Sequence, residues 1–233
     1  METSLHRELK RMYAGAAGRM EVRIGRFRVD AIVENERERE LIEIQHGPLW
    51  AIRDKIRRLT RRHRVRIVKP IVGRKLLIRR SRRGGPITDR RFSPRQGRLC
   101  EIFDELVYFT RAFPHRNLSM DVPLVDVEEW RHPRRPRRGG RWRKSFTVED
   151  LKLVAILQTL HVATAADLRQ FIPCALPDPF HTAHLATGLD VHRWEAQRMA
   201  YVLRKMGAVQ TVGRQRGAWL YRWNETGESC QVA

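Results

Sequence analysis

Residues 27–45 read FRVDAIVENERERELIEIQ. Phe27, Val29, Ala31 and Val33 fall at every second position, the period of a strand with one buried face. The polar run Glu34 to Glu40 follows as a turn, and Leu41 to Gln45 forms a second strand closed by His46-Gly47-Pro48. If the two strands make a hairpin turning near Glu36 and Arg37, Asp30 and Glu43 stand opposite each other, and Gln45 shares the sheet face of Glu43. Facing carboxylates raise each other's pKa unless a cation sits between them. A hard divalent ion such as Mg2+ answers that demand through carboxylate and water oxygens. Held against a phosphodiester, it would polarise the phosphoryl oxygen and activate water. The same two acids could instead each pair with a surface arginine, and Arg23, Arg26 and Arg28 are close in sequence.

Working outward, Met1 to Met12 reads as a short helix with Leu5, Leu9 and Met12 on one stripe, broken by Gly15 and Gly18. Met20 to Ile24 is a strand. After the hairpin, Leu49, Ile52, Ile56 and Leu59 recur at helical spacing, which predicts a helix over 49–63. Val65 to Val72 is nearly continuous apolar sequence, suited to a strand buried on both faces, and Lys75 to Ile78 is a candidate further strand. The order helix, three strands, helix, strand predicts an α/β (α+β) fold, a mixed sheet with flanking helices. Beyond it, Arg79 to Arg98 reads as an Arg-, Gly- and Pro-rich loop and Leu99 to Phe113 as a helix. Leu118 to Val127 reads as an edge strand, because it contains Pro123.

This element order, with Asp30 on the second strand and Leu41-Ile-Glu43-Ile-Gln45 on the third, resembles the PD-(D/E)XK superfamily of restriction-endonuclease-like nucleases. The resemblance covers roughly the first third of the chain and implies a metal-dependent DNA endonuclease. Asp30 and Glu43 would hold Mg2+ or Mn2+, with an acid from the first helix often added: Glu8 in first place, Glu2 in second. Gln45 stands at the catalytic position where the family usually has lysine; some members carry glutamine there, and in others the lysine comes from the following helix, from which Lys55 would reach back toward the site. His46 either caps the turn before Pro48 or orients a water or phosphate. Lys69 is either a phosphate contact or a lysine that snorkels from the sheet. Since cutting two strands takes two sites, the resemblance also implies a homodimer.

The segment RHPRRPRRGGRWRK, residues 131–144, is basic and has no periodic apolar pattern. It is read as a linker between a nuclease-like domain over 1–130 and a second domain over 145–225. In the second, Leu151 to His161 fits helix or strand equally, and Thr164 to Phe171 is a short helix. Thr182 to Thr187 is a helix, and Asp190 caps a long helix from His192 to Met206 that stops at Gly207. Ala208 to Val212 and Ala218 to Trp223 are strands around Gly213-Arg-Gln-Arg-Gly217. Helix, turn, helix and hairpin resemble a winged-helix DNA-binding domain. By that resemblance His192, Arg193, Gln197 and Arg204 face DNA and Arg214 and Arg216 sit at the wing tip. Winged helices also serve protein contacts; the arginine-rich wing favours phosphate. His181, His184 and His192 lack a cysteine or carboxylate that would complete a zinc site.

The charge balance points the same way. Against 26 acidic residues stand 47 Lys and Arg, a formal net charge of +21, and the positive charge is clustered in runs. Such a chain calls for a polyanionic partner, and clustered Arg releases counterions on meeting phosphate. The expected partner is DNA. RNA is disfavoured by the lack of an aromatic-rich strand face, and no pattern suggests a small-molecule cofactor. The other function consistent with the residues is a non-catalytic DNA-binding protein with an inert nuclease-like fold. Cys100, Cys174 and Cys230 form neither a disulfide framework nor a zinc motif. With no apolar run near the length of a membrane span and no signal-like start, the expectation is a cytoplasmic protein off the membrane.

Overall fold

The computed structural model describes residues 2–34, 39–134 and 146–224. Helix α1 (Ser4–Ala14) begins where the Thr3 hydroxyl accepts the His6 amide and ends at Gly15, whose φ of 61° breaks the helical run. Three strands follow as an antiparallel meander: β1 (Arg19–Ile24), β2 (Phe27–Glu34) and β3 (Arg39–Ile44). The chain then passes through a 3-10 turn at Leu49–Ile52 into α2 (Arg53–Leu59). It returns as β4 (Arg64–Val68), parallel to β3. The helical stretch is shorter than the expected 49–63 because its first turn is 3-10 and its last residues form a turn, with the Thr60 hydroxyl donating to the Ile56 carbonyl.

The apolar run expected as one strand over 65–72 breaks at Lys69-Pro70, and β5 (Ile71–Arg80) carries on along the same line. β7 (Leu118–Pro133) lies parallel to both, pairing with β4 through Asp121 and with β5 from Leu124. This corrects the expected edge strand. β7 is interior, and its Pro123 is tolerated because its level, opposite Pro70, is where β4 has stopped pairing and β5 has not begun. The Arg-rich stretch 79–98 is not all loop: β6 (Ile87–Phe92) folds back antiparallel on β5. The helix expected over 99–113 is a 3-10 turn followed by the short α3 (Ile102–Leu106).

β8 (Phe146–Val162) pairs antiparallel with β7 from Pro133↔Phe146 to Met120↔Val162. The ambiguous run 151–161 is therefore a strand, and the sheet extends to Val162 rather than stopping at residue 130. The segment 131–144 joins two paired strands; its residues 135–144 lie outside the described residues. In the eight-stranded sheet β1, β2, β3 and β4 are successive neighbours, and β7 separates the β4–β5 line from β8. One face is covered by α1, with Leu5 and Leu9 packed on Ile42, Ile44, Val68 and Val125. The other carries α2 and α3, with Ile56, Leu59 and Phe103 against Leu41, Ile67 and Met120.

The C-terminal part shares that second core. After a 3-10 turn at Ala166–Phe171 come α4 (Thr182–Leu189), α5 (Arg193–Lys205) and a hairpin of β9 (Val209–Gln215) and β10 (Ala218–Trp223). Phe180 forms an isolated bridge to Tyr221. Leu185, Met199, Val202, Leu203 and Met206 are buried as expected, while Leu189 is partly buried. Asp190, expected to cap α5, instead ends α4 in the left-handed conformation, and His192 caps α5 with Glu195 accepting its amide. The part docks on α3: Arg198 pairs with Asp104, Phe171 packs edge-on against Phe103, and Arg98 donates to the Leu189 and Asp190 carbonyls. Among the described residues no helix is long and apolar enough to cross a membrane.

Candidate active site and nucleic-acid interface

The Ala31↔Ile42 register puts Asp30 opposite Glu43. Each carboxylate is met by a cation from a different helix. Asp30 accepts the Ile44 amide at 2.8 Å and lies 3.2 Å from the His6 ring and 3.8 Å from the Lys10 ammonium, both on α1. Glu43 is buried at 7% exposure, and both its oxygens accept from Lys55 of α2 at 2.6 Å. Lys55 also donates to the Arg28 carbonyl. The arrangement follows from the packing: α1 and α2 lie on opposite faces of the sheet, and β2 and β3 run between them.

Asp30 opens into a cavity of about 830 Å3 between α1 and the first two strands, lined also by Glu2, His6, Lys10, Glu21, Arg28 and His46. Lys10 is almost wholly buried there and bridges Glu2, at 2.6 Å, and Glu21. Arg28 lies 2.5 Å from Glu21. Charge sets the protonation states. Burial opposes ionisation of Asp30, but the His6 contact, the Ile44 amide and Lys10 together hold it below the ordinary carboxylate range. Burial pushes Glu43 up; Lys55 pulls it back without cancelling the shift, and the charge of Asp30 adds to it. Burial, with smaller contributions from the neighbouring His6 and Lys69, depresses His46 to about 4, so its ring is neutral at pH 7. Its Nε2 is buried without a hydrogen-bond partner.

Not every expected residue is gathered here: Asp30 lines the cavity, whereas Glu43 and Lys55 lie off its lining. Glu8 does not line the cavity; it lies two residues on from His6, about 200° around the helix. Glu2, placed second, lines it instead. Gln45 turns away to donate to the Pro48 carbonyl at 2.9 Å, so its amide fastens the turn. Lys69 is buried and neither snorkels nor reaches the cavity: it donates to the His46 and Gly47 carbonyls and lies 3.2 Å from Glu105. The arginines weighed as partners of the two acids go elsewhere. Arg23 donates to the Gly25 carbonyl, Arg26 lies over Phe27, and Arg28 joins Glu21. Sequence reasoning missed His6, Lys10 and Glu21. The i, i+4 spacing of His6 and Lys10, flanking the Leu5–Leu9 stripe, was the available signal for the first two. Among the described residues no group of three or more His, Cys, Asp or Glu is arranged to hold a metal ion.

On the C-terminal part, His192, Arg193, Gln197, Arg204, Arg214 and Arg216 are all exposed. Gln197 and Arg204, seven residues apart, share a stripe of α5 with the exposed Trp194 and Tyr201. Arg193 donates to the Thr182 hydroxyl. Arg214 stacks over Trp219 at 3.9 Å, and Arg216, with φ 47°, forms the hairpin tip beside Gly217. His181 and His184 stack at 3.7 Å and form the capping box of α4.

A family model described as "Domain of unknown function (DUF8091)" matches residues 3–163, from α1 to the end of β8. An uncharacterized protein of Treponema pallidum (strain Nichols) is 28% identical over 229 residues, covering 98% of this chain and 88% of that protein. No solved structure matches.

Proposed function

We propose that this chain, which belongs to the DUF8091 family, is a metal-dependent DNA endonuclease whose C-terminal part helps to hold the DNA. The observation that carries the reading is the facing pair Asp30 and Glu43 with Lys55 brought onto Glu43 from the next helix. In support, helix, antiparallel meander, helix and a strand parallel to the third occur in the order of the PD-(D/E)XK core, with the two helices on opposite faces.

The residues present fit a hard divalent ion. Asp30 and Glu43 offer carboxylate oxygens, and the raised pKa of Glu43 signals that Lys55 does not fully meet its demand for positive charge. Mg2+ or Mn2+ would be held by these two, and when bound it supplies Lewis-acid polarisation and a water of lowered pKa. The chain's own groups do the rest. Asp30, kept ionised, is fixed by the Ile44 amide and the His6 ring. Lys55, once off Glu43, presents an ammonium that can donate to a phosphoryl or leaving oxygen, the task that Gln45 cannot perform from its place on Pro48. Helix α5 and the β9–β10 tip resemble the DNA-reading elements of a winged helix, and the isolated Phe180–Tyr221 bridge ties the hairpin to the loop before α4. A homodimer would supply the second site for a second strand.

The turned-away Gln45 supports a second reading, in which the fold is inert and the protein only holds DNA. Supercoiled plasmid and a branched DNA, incubated with Mg2+ or with EDTA, separate the two. Metal-dependent cleavage that vanishes in Asp30→Ala and Glu43→Ala establishes the nuclease. Binding without cleavage, unchanged in both variants, establishes the inert reading.

A further inference from the structure

The β5–β6 ribbon is left unused by the site. Every residue of β6 is exposed, on both faces of the strand, and so are most residues of the turn before it. Arg82 and Arg83 in that turn and Arg90 in β6 have no acidic partner among the described residues, while Arg91 lies 4.0 Å from Asp89 with both largely in solvent. Phe92 is 65% exposed at the end of the strand. A charged edge strand can serve merely to block edge-to-edge pairing. That purpose needs a charge or two; it explains neither four arginines with one acid nor a phenyl ring left in water. The cations around Asp30 and Glu43 behave differently: Lys10 and Lys55 are spent on acids.

The topology gives the ribbon a fixed place relative to the acids. β3 and β6 lie on the same side of the β4–β5 line, β3 beside β4 and β6 beside β5. Glu43 is level with Ile67, which is level with Met120 of β7; Arg91 and Arg90 are level with Leu77 and Ile78, which are level with Glu129 and Trp130. The stretch of β7 from Met120 to Trp130 spans roughly 33 Å at ~3.3 Å a residue, and the turn that carries Arg82 and Arg83 lies farther along the same line. One turn of B-DNA is about 34 Å long, so a duplex of about two turns laid along this line spans the acids and the ribbon.

We infer that the β5–β6 ribbon is a second DNA contact, with Arg82, Arg83, Arg90 and Arg91 on the phosphates of the duplex whose backbone lies at Asp30 and Glu43. This rests on the nuclease reading for the position of the DNA, though not for cleavage. Arginine forks match phosphate oxygens and carry no base information, so the ribbon adds affinity and holds the duplex in line, without reading sequence.

The test is binding of a 30-base-pair duplex across a salt series by the full chain and by a variant with Arg82, Arg83, Arg90 and Arg91 all changed to Ala. An all-Lys variant serves as the charge-preserving control, and melting curves check folding. The Ala variant is expected to bind more than tenfold more weakly near 0.1 M salt, with a log–log salt slope shallower by about 3 to 4, and the Lys variant to recover most of that slope. An unchanged slope in the Ala variant, with the wild type binding DNA, overturns the ribbon assignment and leaves the nuclease reading standing. A wild type that binds no duplex overturns both. Vesicles containing phosphatidylserine form a parallel arm: loss of vesicle binding in the Ala variant with DNA affinity intact overturns the DNA assignment in favour of a membrane surface.

Discussion

The Lys55 ammonium lies 2.6 Å from each carboxylate oxygen of Glu43. Glu43 is on β3 and Lys55 on the helix that follows it, so one short crossover supplies both charges. The ammonium also donates to the carbonyl of Arg28, two residues from Asp30. Lys55 thus occupies the position in which a divalent cation would neutralise Glu43, so under the proposed function the two would compete.

That competition makes Lys55→Ala informative. Removing one partner of a largely buried pair leaves Glu43 uncompensated, and the variant is expected to lose about 3 kcal/mol of stability without metal. Millimolar Mg2+ should then raise its melting temperature by more than it raises that of the wild type, because the ion replaces the missing charge. Equal shifts in the two proteins would mean that metal and lysine do not share Glu43.

Asp30→Ala removes the carboxylate common to the cavity and the hairpin. Its loss is expected to abolish Mg2+-induced stabilisation and any metal-dependent cleavage, while DNA affinity stays within a few-fold of wild type. Thermal melts with and without Mg2+ test the first part, and a plasmid assay with gel shifts tests the rest. A DNA affinity that collapses together with cleavage would place Asp30 in DNA binding, not in metal binding.

Acid should weaken the fold through His46. Burial and the neighbouring His6 and Lys69 depress its pKa from 6.5 to about 4. A base depressed in the folded state contributes its full stability above its unfolded pKa and loses it as pH falls toward the folded value. The window is therefore pH 6.5 down to about 4, and at about 1.4 kcal/mol per unit the loss is on the order of 3 kcal/mol. Asp30, held low, adds a loss of the same sign at still lower pH. Urea melts at pH 7 and pH 4.5 should show a smaller difference in His46→Gln than in the wild type.

Arg214→Ala and Arg216→Ala probe the hairpin tip. Each is expected to weaken DNA binding uniformly across sequences and to make the log–log salt slope shallower by about 1. Gln197→Ala on α5 should instead change the preference among sequences, with the salt slope unchanged. Competition binding with a randomised duplex pool separates these outcomes.

How much of this was legible in sequence depends on the range of the interactions. The Asp30–Glu43 register follows from alternation along two strands close in sequence, although the expected turn near Glu36 and Arg37 lies outside the described residues; the α1–meander–α2–β4 order follows from periodicity. What escaped is non-local. The run 151–161 has no decisive period, and its strand identity comes from pairing with β7. Pro123 argued for an edge, and only the break at Pro70 on the facing strand line makes an interior place acceptable. The basic run 131–144 looked like a tether because charge hides the pairing of its flanks, Pro133 with Phe146. At the site, Lys10 escaped because burying a lysine requires Glu2 and Glu21 at once, and no spacing in one element announces such a meeting.

The same non-local packing bears on whether the chain behaves as one body. Phe103 of α3 and Phe171 meet edge to edge, with centroids 6.0 Å apart, and both belong to one buried cluster that runs from β2 to Tyr221. A core shared in this way couples the sheet to the C-terminal helices, so the full chain should unfold in a single transition by far-UV dichroism and by tryptophan fluorescence alike. Phe171→Ala is expected to destabilise by about 3 to 5 kcal/mol and to lower both transitions together. Two separated transitions, with the mutation shifting only one, would show that the sheet and the C-terminal part are independent units meeting at a surface. The arginines of the ribbon and of the β9–β10 tip would then act on DNA as tethered modules instead of one fixed face.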